Sequence, residues 1–460
     1  MDVVTQLRKF VEPESVALFG VPRYPREGGF NILQHLLSYG YQGRIYPIHP
    51  EADEILGVKT YRRVTEVAED IDLAVVNLPR SIVPWVTRDC VEKGISAVII
   101  TTQGFADAND MEGHQLQKEI DDIVRGKTRV LGPNTFGTAN AFIKFSSSFA
   151  ELDMERVPVG LICQSGVLYV GSPELRLVGK GIDLGNASDI DFADALEYFE
   201  QDSDVRVIAL HTEGMRNTRR FLDIAGRVAQ KKPIVALKTG RSRIAAQAAQ
   251  SHTGSFGGRD EIWEVALKQC DIIRVNDIEE LSDMVKTFSV LPLMKGRKLA
   301  VLSFTGGFGV ASIDASEKFG LETAELSPAT VERLKELYPP WLAVANPVDI
   351  WPAMILSRQP LLRVFRAALE ALFSDPAVDA VLCICGISES AVCDRFRQYA
   401  ERLTRDYPDK PLVWYIYGPL ANEARNELED TGKTQVFSSP DRAIRALAHL
   451  ADYSQSVGEF

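Results

Sequence analysis

The sequence has little positive charge, few aromatics, and no paired cysteines or histidines, and each shortage narrows what the chain can do. Its 460 residues carry 51 Lys and Arg against 63 Asp and Glu, a net charge of −12. No long-range positive field therefore draws in nucleic acid or an anionic membrane, and a polyanionic ligand has to be held locally. No run of about 18 apolar residues is present to cross a bilayer. The start, Met1 to Phe10, has Arg8 and Lys9 but lacks the apolar centre of a signal peptide, so a cytoplasmic setting is expected. The six cysteines (Cys90, Cys163, Cys270, Cys383, Cys385, Cys393) have no CxxC spacing, and the six histidines show no HxH, HxxH or HxxxH spacing, so no metal centre is expected. Cys383 and Cys385 fit a metal or redox pair, or equally two alternate residues on one face of a buried strand. Neither GxGxxG nor GxxxxGK[ST] occurs, which argues against a nicotinamide-dependent oxidoreductase and against a P-loop in this chain.

What is present is the rhythm of an α/β protein. Hydrophobic residues make up 45% and charged residues 25%, and short apolar runs alternate with amphipathic stretches, the pattern of parallel strands joined by helical crossovers. At roughly 100–200 residues per domain the length suggests two to four domains, with three as the working number. A first series of strands is expected at Ser15 to Phe19, Arg44 to Ile48, Leu73 to Asn77, Ala97 to Thr101 and Arg129 to Leu131. A second follows the acidic stretch Glu151 to Pro158, at Val159 to Cys163, Gly181 to Leu184, Val205 to Leu210, Ile234 to Lys238 and Ile272 to Val275. Leu291 to Lys298 reads as a linker. The third series takes Leu299 to Phe304, Ala380 to Cys385, Leu412 to Tyr417 and Thr434 to Phe437. The expected domains are 1–150, 157–291 and 296–460.

Each series opens with a strand that runs into a Gly turn before a helix: Val16 to Gly20, Gly160 to Gly166 and Ala300 to Gly309. This geometry points backbone N–H groups at an anion, although glycine there also serves tight packing alone. In the first turn, Arg23 and Arg26 beside a helix start can hold a diphosphate or a 3′-phosphate, or can simply be solvated. The next strand ends carry Pro47-Ile-His49-Pro50, Asn77-Leu-Pro79-Arg80 and Thr101-Thr102-Gln103-Gly104, where an open parallel sheet places its ligand crevice. His252 stands in the Ser/Thr/Gly stretch Ser251 to Gly258, between an Ala-rich helix candidate, Ile244 to Gln250, and a helix opening near Arg259 to Glu261. A neutral imidazole on such a loop can take a phosphoryl group, though most loop histidines are ordinary surface residues. Glu213, past the end of a buried strand, can accept a hydrogen bond from one ring nitrogen, or can cap the next helix.

Taken together, these segments resemble a known family. Val16 to Tyr61, with Tyr41-Gln-Gly-Arg-Ile-Tyr-Pro-Ile-His-Pro50 and Glu54-Ile-Leu-Gly57, is similar to the CoA-binding domain of ADP-forming (NDP-forming) acyl-CoA synthetases, of the succinyl-CoA synthetase alpha-like superfamily. Gly132-Pro-Asn134, Gln164-Ser-Gly166, Leu184-Gly-Asn186, Glu213-Gly214, Ser251-His-Thr-Gly-Ser255 and Asn346-Pro-Val-Asp349 follow in the family's order. The resemblance implies three consecutive parallel-sheet domains: a Rossmann-like CoA-binding domain, a phosphohistidine domain and a second flavodoxin-like ligase domain. It implies His252 and Glu213 as catalytic residues. CoA, a substrate, is expected along Gly20, Val21, Arg23, Arg26, His49, Pro50, Asn77, Pro79, Arg80, Thr102 and Gln103. Phosphate and the carboxylic acid are expected at Asn134, Thr135, Gln164, Ser165 and Gly166.

The implied reaction is acyl-CoA + ADP + phosphate giving acid, CoA and ATP, through an acyl phosphate and a phosphohistidine. ADP or ATP with Mg²⁺ is expected on an ATP-grasp beta subunit, a separate polypeptide in a hetero-oligomer, since this chain ends at Phe460 without room for the two nucleotide-binding domains that the family requires. The chain departs from the family where Thr135 stands for a common Cys and where Gly306-Gly-Phe308-Gly309 replaces Gly-Gly-Pro-Gly. It departs again in a short Gly166 to Leu184 segment, which Pro173 interrupts. A non-catalytic CoA-binding subunit of the same fold has no need of His252 and Glu213 together, and a succinate-specific ligase is disfavoured by length.

Overall fold

The computed structural model of the chain describes residues 2–24, 31–108, 110–170, 178–242, 244–245 and 259–458. Arg26, Pro173 and His252 lie outside the described residues. Two compact units divide the chain, Met1–Val285 and Lys286–Phe460.

The first unit contains β1 (Ser15–Phe19), β2 (Arg44–Ile48), β3 (Glu54–Ile55), β4 (Val58–Lys59), β5 (Leu73–Val76), β6 (Ala97–Ile100) and β7 (Arg129–Leu131). It continues through β8 (Thr138–Asn140), β9 (Phe145–Ser146), β10 (Val159–Cys163), β11 (Lys180–Asp183), β12 (Val207–Thr212), β13 (Ile234–Lys238) and β14 (Ile273–Val275). One sheet is parallel, in the order β2-β1-β5-β6-β7; the second runs β14-β13-β12-β10-β11-β8-β9, with β8 antiparallel to β11. β1, β5, β6, β10 and β13 are buried at every position, as strands covered on both faces must be.

Both sheets wind alike. The parallel part begins in the middle, at β1 or β10, steps to one neighbour, β2 or β11, and then crosses to the other side, at β5 or β12. That reversal opens a crevice at the C-terminal strand ends. At the first crevice Gly20, with φ +82°, approaches Asn77 so closely that a Cβ would stand 1.9 Å from its carbonyl oxygen.

The two sheets of this unit share one core. The helix Val3–Val11, whose N-terminus is capped by Asp2, buries Leu7, Phe10 and Val11 in a cluster that also contains Val16, Leu33, Phe145, Leu196 and Phe199. Thr138 and Asn140 of β8 donate to the Phe10 and Val11 carbonyls at 2.6 and 3.1 Å. Arg129, at the start of β7, pairs with Asp189 and Asp194, both at 2.8 Å. Lys180, at the start of β11, is 3% exposed and meets Asp202 at 2.7 Å, Asp204 at 2.9 Å and Glu12 at 3.4 Å.

The second unit holds β15 (Lys298–Ser303), β16 (Glu322–Thr323), β17 (Val348–Asp349), β18 (Ala380–Gly386), β19 (Leu412–Tyr417) and β20 (Gln435–Phe437). Its parallel sheet runs β16-β15-β18-β19-β20, with β17 also on β15, and repeats the same winding. Cys383 and Cys385 lie in one core cluster with Phe365, Phe396 and Trp414. They sit as alternate residues of a buried strand do. The helix Ile278–Val290 leads into irregular residues 291–297 before β15, where the sequence reads as a linker.

The longer strands match expectation to within two residues at each end. β12 continues to Thr212 because β13 pairs there, Thr212 with Lys238. The short strands β3, β4, β8, β9, β16 and β17 were not expected, since none of them contains an apolar run. Among the described residues no helix is long and apolar enough to cross a membrane.

Burial works against the charge of Lys180, but its hydrogen bonds to Asp202 and Asp204 prevail and hold its pKa above the usual lysine range. Lys180→Met should leave Asp202 buried without its cation and cost about 3–5 kcal/mol. The check is the urea midpoint; Lys180→Met with Asp202→Asn should recover part of the loss.

Candidate functional site

The C-terminal edges of the first unit's two sheets meet around a cleft of about 770 Å3. Asn77, Leu78, Pro79, Thr101, Thr102 and Gln103 line it from the tips of β5 and β6; Asn134, Thr135 and Phe136 line it from the turn after β7; Gln164, Ser165, Gly166 and Asp183 line it from the tips of β10 and β11. Residues expected at three distant places in the sequence thus share one space. The Thr102 carbonyl accepts the Asn134 N–H at 2.9 Å. Asn134 adopts φ +59°, a left-handed conformation that asparagine tolerates better than most residues. Phe136 and Phe149 bring their rings to 4.5 Å and form an apolar wall. Gly166 lets the Phe136 ring approach, because a Cβ there would lie 1.9 Å from it.

Other expected residues lie along the same sheet edge but not in this cleft's lining. Val21 is in the core. Arg23 is exposed, its guanidinium 5.4 Å over the Tyr24 ring. His49 Nδ1 accepts the N–H groups of Glu51 and Ala52 at 3.1 and 2.9 Å, and the Pro50 carbonyl accepts from Arg62. Arg80 pairs with Asp110 at 2.9 Å and Glu112 at 2.6 Å and donates to the Gly104 carbonyl. That guanidinium holds the loop after β6.

Gln164 has a role different from the one its turn suggests. Its Oε1 accepts the N–H of Glu213 at 2.8 Å, the hydroxyl of Thr212 at 3.1 Å and the N–H of Gly214 at 3.2 Å. The side chain therefore ties the tip of β10 to the tip of β12 across the second crevice. Ser165 and Gly166 remain at the start of the helix Val167–Val170. Glu213 is buried, and its carbonyl accepts the Lys238 ammonium at 2.8 Å. The helix after it, Thr218–Ala229, is capped by Asn217, so Glu213 is not that cap. On the other side of Gln164 a small cavity of about 140 Å3 is bounded by Asn186, Ser188, Asp191, Gly214 and Arg216 among others.

The segment bearing His252 leaves β13 and re-enters at the helix Asp260–Gln269. Arg241 and Asp260, near its two ends, form an ion pair at 3.3 Å, and Arg274 also meets Asp260, at 2.5 Å. His211 is held neutral, its pKa pushed down to about 4 by burial and by the Lys238 charge. Burial also lowers the pKa of Lys238. Asp183 goes the other way, up to about 6, because burial penalises its charge. Sequence reasoning missed Asp183 and Lys238. Each is a buried charged residue at the C-terminal end of its strand, β11 or β13, and that position is the only signal. Among the described residues no group of three or more His, Cys, Asp or Glu is placed to hold a metal.

Two doubly wound sheets that share a core and one cleft define a two-sheet α/β architecture of the kind that binds ligands at its C-terminal strand edges, and comparison with known proteins gives the family. Residues 14–141 match the CoA binding domain family and residues 156–288 the succinyl-CoA ligase like flavodoxin domain family. The chain is 33% identical over 460 residues to acetate–CoA ligase [ADP-forming] II subunit alpha of Pyrococcus furiosus, covering 98% of each. It is 33% identical over 459 residues to an acetate–CoA ligase [ADP-forming] of Methanocaldococcus jannaschii, 98% of this chain but 63% of that longer one. A solved structure of dinucleotide forming acetyl-coenzyme A synthetase 1 from Ca. Korarchaeum cryptofilum, in complex with phosphate and ADP, superposes with a TM-score of 0.89 at 31% identity, covering 98% of this chain and 97% of that one. The chain belongs to the ADP-forming acid–CoA ligase family, among its alpha subunits.

Gln164→Leu should strand the buried N–H of Glu213, and at about 1–3 kcal/mol for a buried group left unsatisfied it should lower the urea midpoint clearly. Gln164→Glu keeps an acceptor and should unfold closer to the parent. Equal losses for the two variants would show that the three bonds to Oε1 contribute little.

Proposed function

We propose that this chain is the CoA-binding, phosphohistidine-carrying subunit of an ADP-forming acid–CoA ligase, with His252 as the phosphorylated residue and Glu213 as its acid–base partner. The cleft that joins Asn77 and Thr102 to Asn134, Thr135, Ser165 and Gly166 carries this reading. It puts the crevice of a CoA-type sheet next to a glycine turn at a helix start, where a thioester and an anion can meet. In this reading the domains divide as 1–150, 157–291 and 296–460, and the chain works in the cytoplasm.

The chemistry runs in three displacements. Phosphate attacks the thioester carbonyl, the C–S bond breaks, and the proton lost by phosphate goes to the CoA thiolate. His252 then attacks the phosphorus of the acyl phosphate, and the carboxylic acid leaves as its anion. Finally an oxygen of ADP takes the phosphoryl group from His252. Phosphoryl transfer depends chiefly on positioning and charge. Gln164 contributes by fixing the backbone of Glu213.

His252→Ala should abolish labelling of the protein by acyl-CoA and labelled phosphate, seen as acid-labile, base-stable phosphate, while CoA binding by calorimetry stays nearly unchanged. Glu213→Gln should slow labelling by roughly 10²–10⁴. Label retained on His252→Ala would remove this residue from the mechanism.

The partner is an ATP-grasp beta subunit that binds ADP with Mg²⁺, in a hetero-oligomer. Two observations support this: the Pyrococcus relative is named as a subunit alpha, and this chain spans 63% of the Methanocaldococcus relative. Purified alone, the chain should bind CoA and fail to make ATP from ADP, phosphate and acyl-CoA. Addition of the partner should restore synthesis, and robust ATP formation without it would overturn the assignment.

A further inference from the structure

Asp183, the last residue of β11, is 1% exposed, yet it lines the cleft and has no part in the mechanism above. Its contacts converge on one turn. The carboxylate Oδ2 accepts the Phe136 N–H at 2.7 Å, the carbonyl accepts the Thr135 hydroxyl, and the Asp183 N–H donates to the Gly137 carbonyl at 2.9 Å. The other oxygen, Oδ1, accepts the Gly185 N–H at 3.3 Å and faces the Cys163 thiol at 3.8 Å. One residue thus fastens Thr135, Phe136 and Gly137 to the second sheet and sets the distance from Asn134 and Thr135 to the Ser165–Gly166 turn. Among the described residues no lysine or arginine pairs with it. The other titratable groups around it are the thiol of Cys163 on β10 and the phenol of Tyr169 on the helix Val167–Val170.

We propose that Asp183 is the positioning residue of the acyl half of the reaction, and that it holds the Asn134–Gly137 turn in its working place only when ionised. The inference rests on the acid–CoA ligase reading. The groups around the carboxylate act on it as donors: the N–H groups of Phe136 and Gly185, the Thr135 hydroxyl and the Cys163 thiol. A proton on the carboxyl removes the charge that strengthens these bonds and adds a donor among groups that already donate; the Thr135 hydroxyl, which could accept it, already takes the Gly137 N–H at 2.7 Å, so the bonds that fix the turn weaken, the one from Phe136 among them. Burial places this titration near neutral pH, at about 6. The sign follows: as pH falls through that value the carboxylate is lost, and acyl transfer between CoA and phosphate slows. Phosphorylation of His252 from ATP does not use this turn and keeps its rate.

The experiment uses the complex of this chain with its partner and two separate readouts. The first is release of CoA thiol from acetyl-CoA that depends on inorganic phosphate; the second is labelling of the chain by γ-labelled ATP. In the parent protein, thiol release should fall about tenfold in all between about pH 7.5 and about pH 5, with labelling much less affected. Asp183→Asn should release thiol about tenfold more slowly than the parent at neutral pH and lose the acid limb, while it is labelled normally. Cys163→Ala removes one donor to the carboxylate and should move the limb to higher pH, which tests the assignment even if Asp183→Asn folds poorly. An Asp183→Asn protein with the parent's rate and acid limb, or an unmoved limb in Cys163→Ala, would overturn the assignment of Asp183 alone. Absence of both thiol release and labelling in the parent would overturn the ligase reading with it.

Discussion

The site depends on the way the first two sheets are locked to each other by buried polar contacts around a shared apolar core. The helix Val3–Val11 gives its last carbonyls to Thr138 and Asn140 of the second sheet, and Arg129 reaches from β7 to Asp189 and Asp194. Lys180, with Asp202, Asp204 and Glu12, closes the same junction from below the core. A purely hydrophobic contact between two sheets tolerates sliding, because it rewards area and not direction. Charged hydrogen bonds of fixed geometry do not tolerate it. With the sheets held in this way, their C-terminal edges converge, and the crevices that the winding creates become parts of one cleft.

Within that cleft, some polar side chains are already engaged in holding its turns together. Gln164 and Asp183 do this: each accepts bonds from backbone N–H groups of neighbouring turns, and each is almost entirely covered. Glu213 is fixed from two sides, by Gln164 at its N–H and by Lys238 at its carbonyl. Preorganisation of this kind suits displacement reactions at carbon and phosphorus, where the barrier is lowered chiefly by placement and by fixed dipoles. Arg80, a guanidinium at the same sheet edge, pairs with Asp110 and Glu112.

Much of this was legible in the sequence. The apolar runs that became β1, β2, β7, β10, β13 and β19 were read at their full extent, because a strand covered on both faces leaves a continuous hydrophobic stretch bounded by turn residues. The glycine turns after β1 and β10 followed from position at strand ends, and the grouping of Asn134 and Thr135 with Gln164 to Gly166 was what the family resemblance implied. What escaped was whatever depends on a neighbour far along the chain. β8 and β9 are too short to carry a period, and they exist because β11 offers an edge at residues 180–182. The direction of the Gln164 side chain escaped for the same reason, since its partners lie 48 to 50 residues away.

By itself, then, the sequence determined the fold class, the recurrence of a strand, glycine turn and helix at the opening of three series, and the residue types available at the strand ends, because these follow from local periodicity and from turn chemistry. Only the tertiary structure decided which of those residues share a space, which charges are already paired and which carboxyl is buried. Thr135 and Asp183 are 48 residues apart in sequence and in hydrogen-bond contact in space. Burial and dielectric environment are properties of the packed neighbourhood, so the upward shift of the Asp183 carboxyl and the downward shift of the His211 imidazole arise only when strands from distant segments close over them.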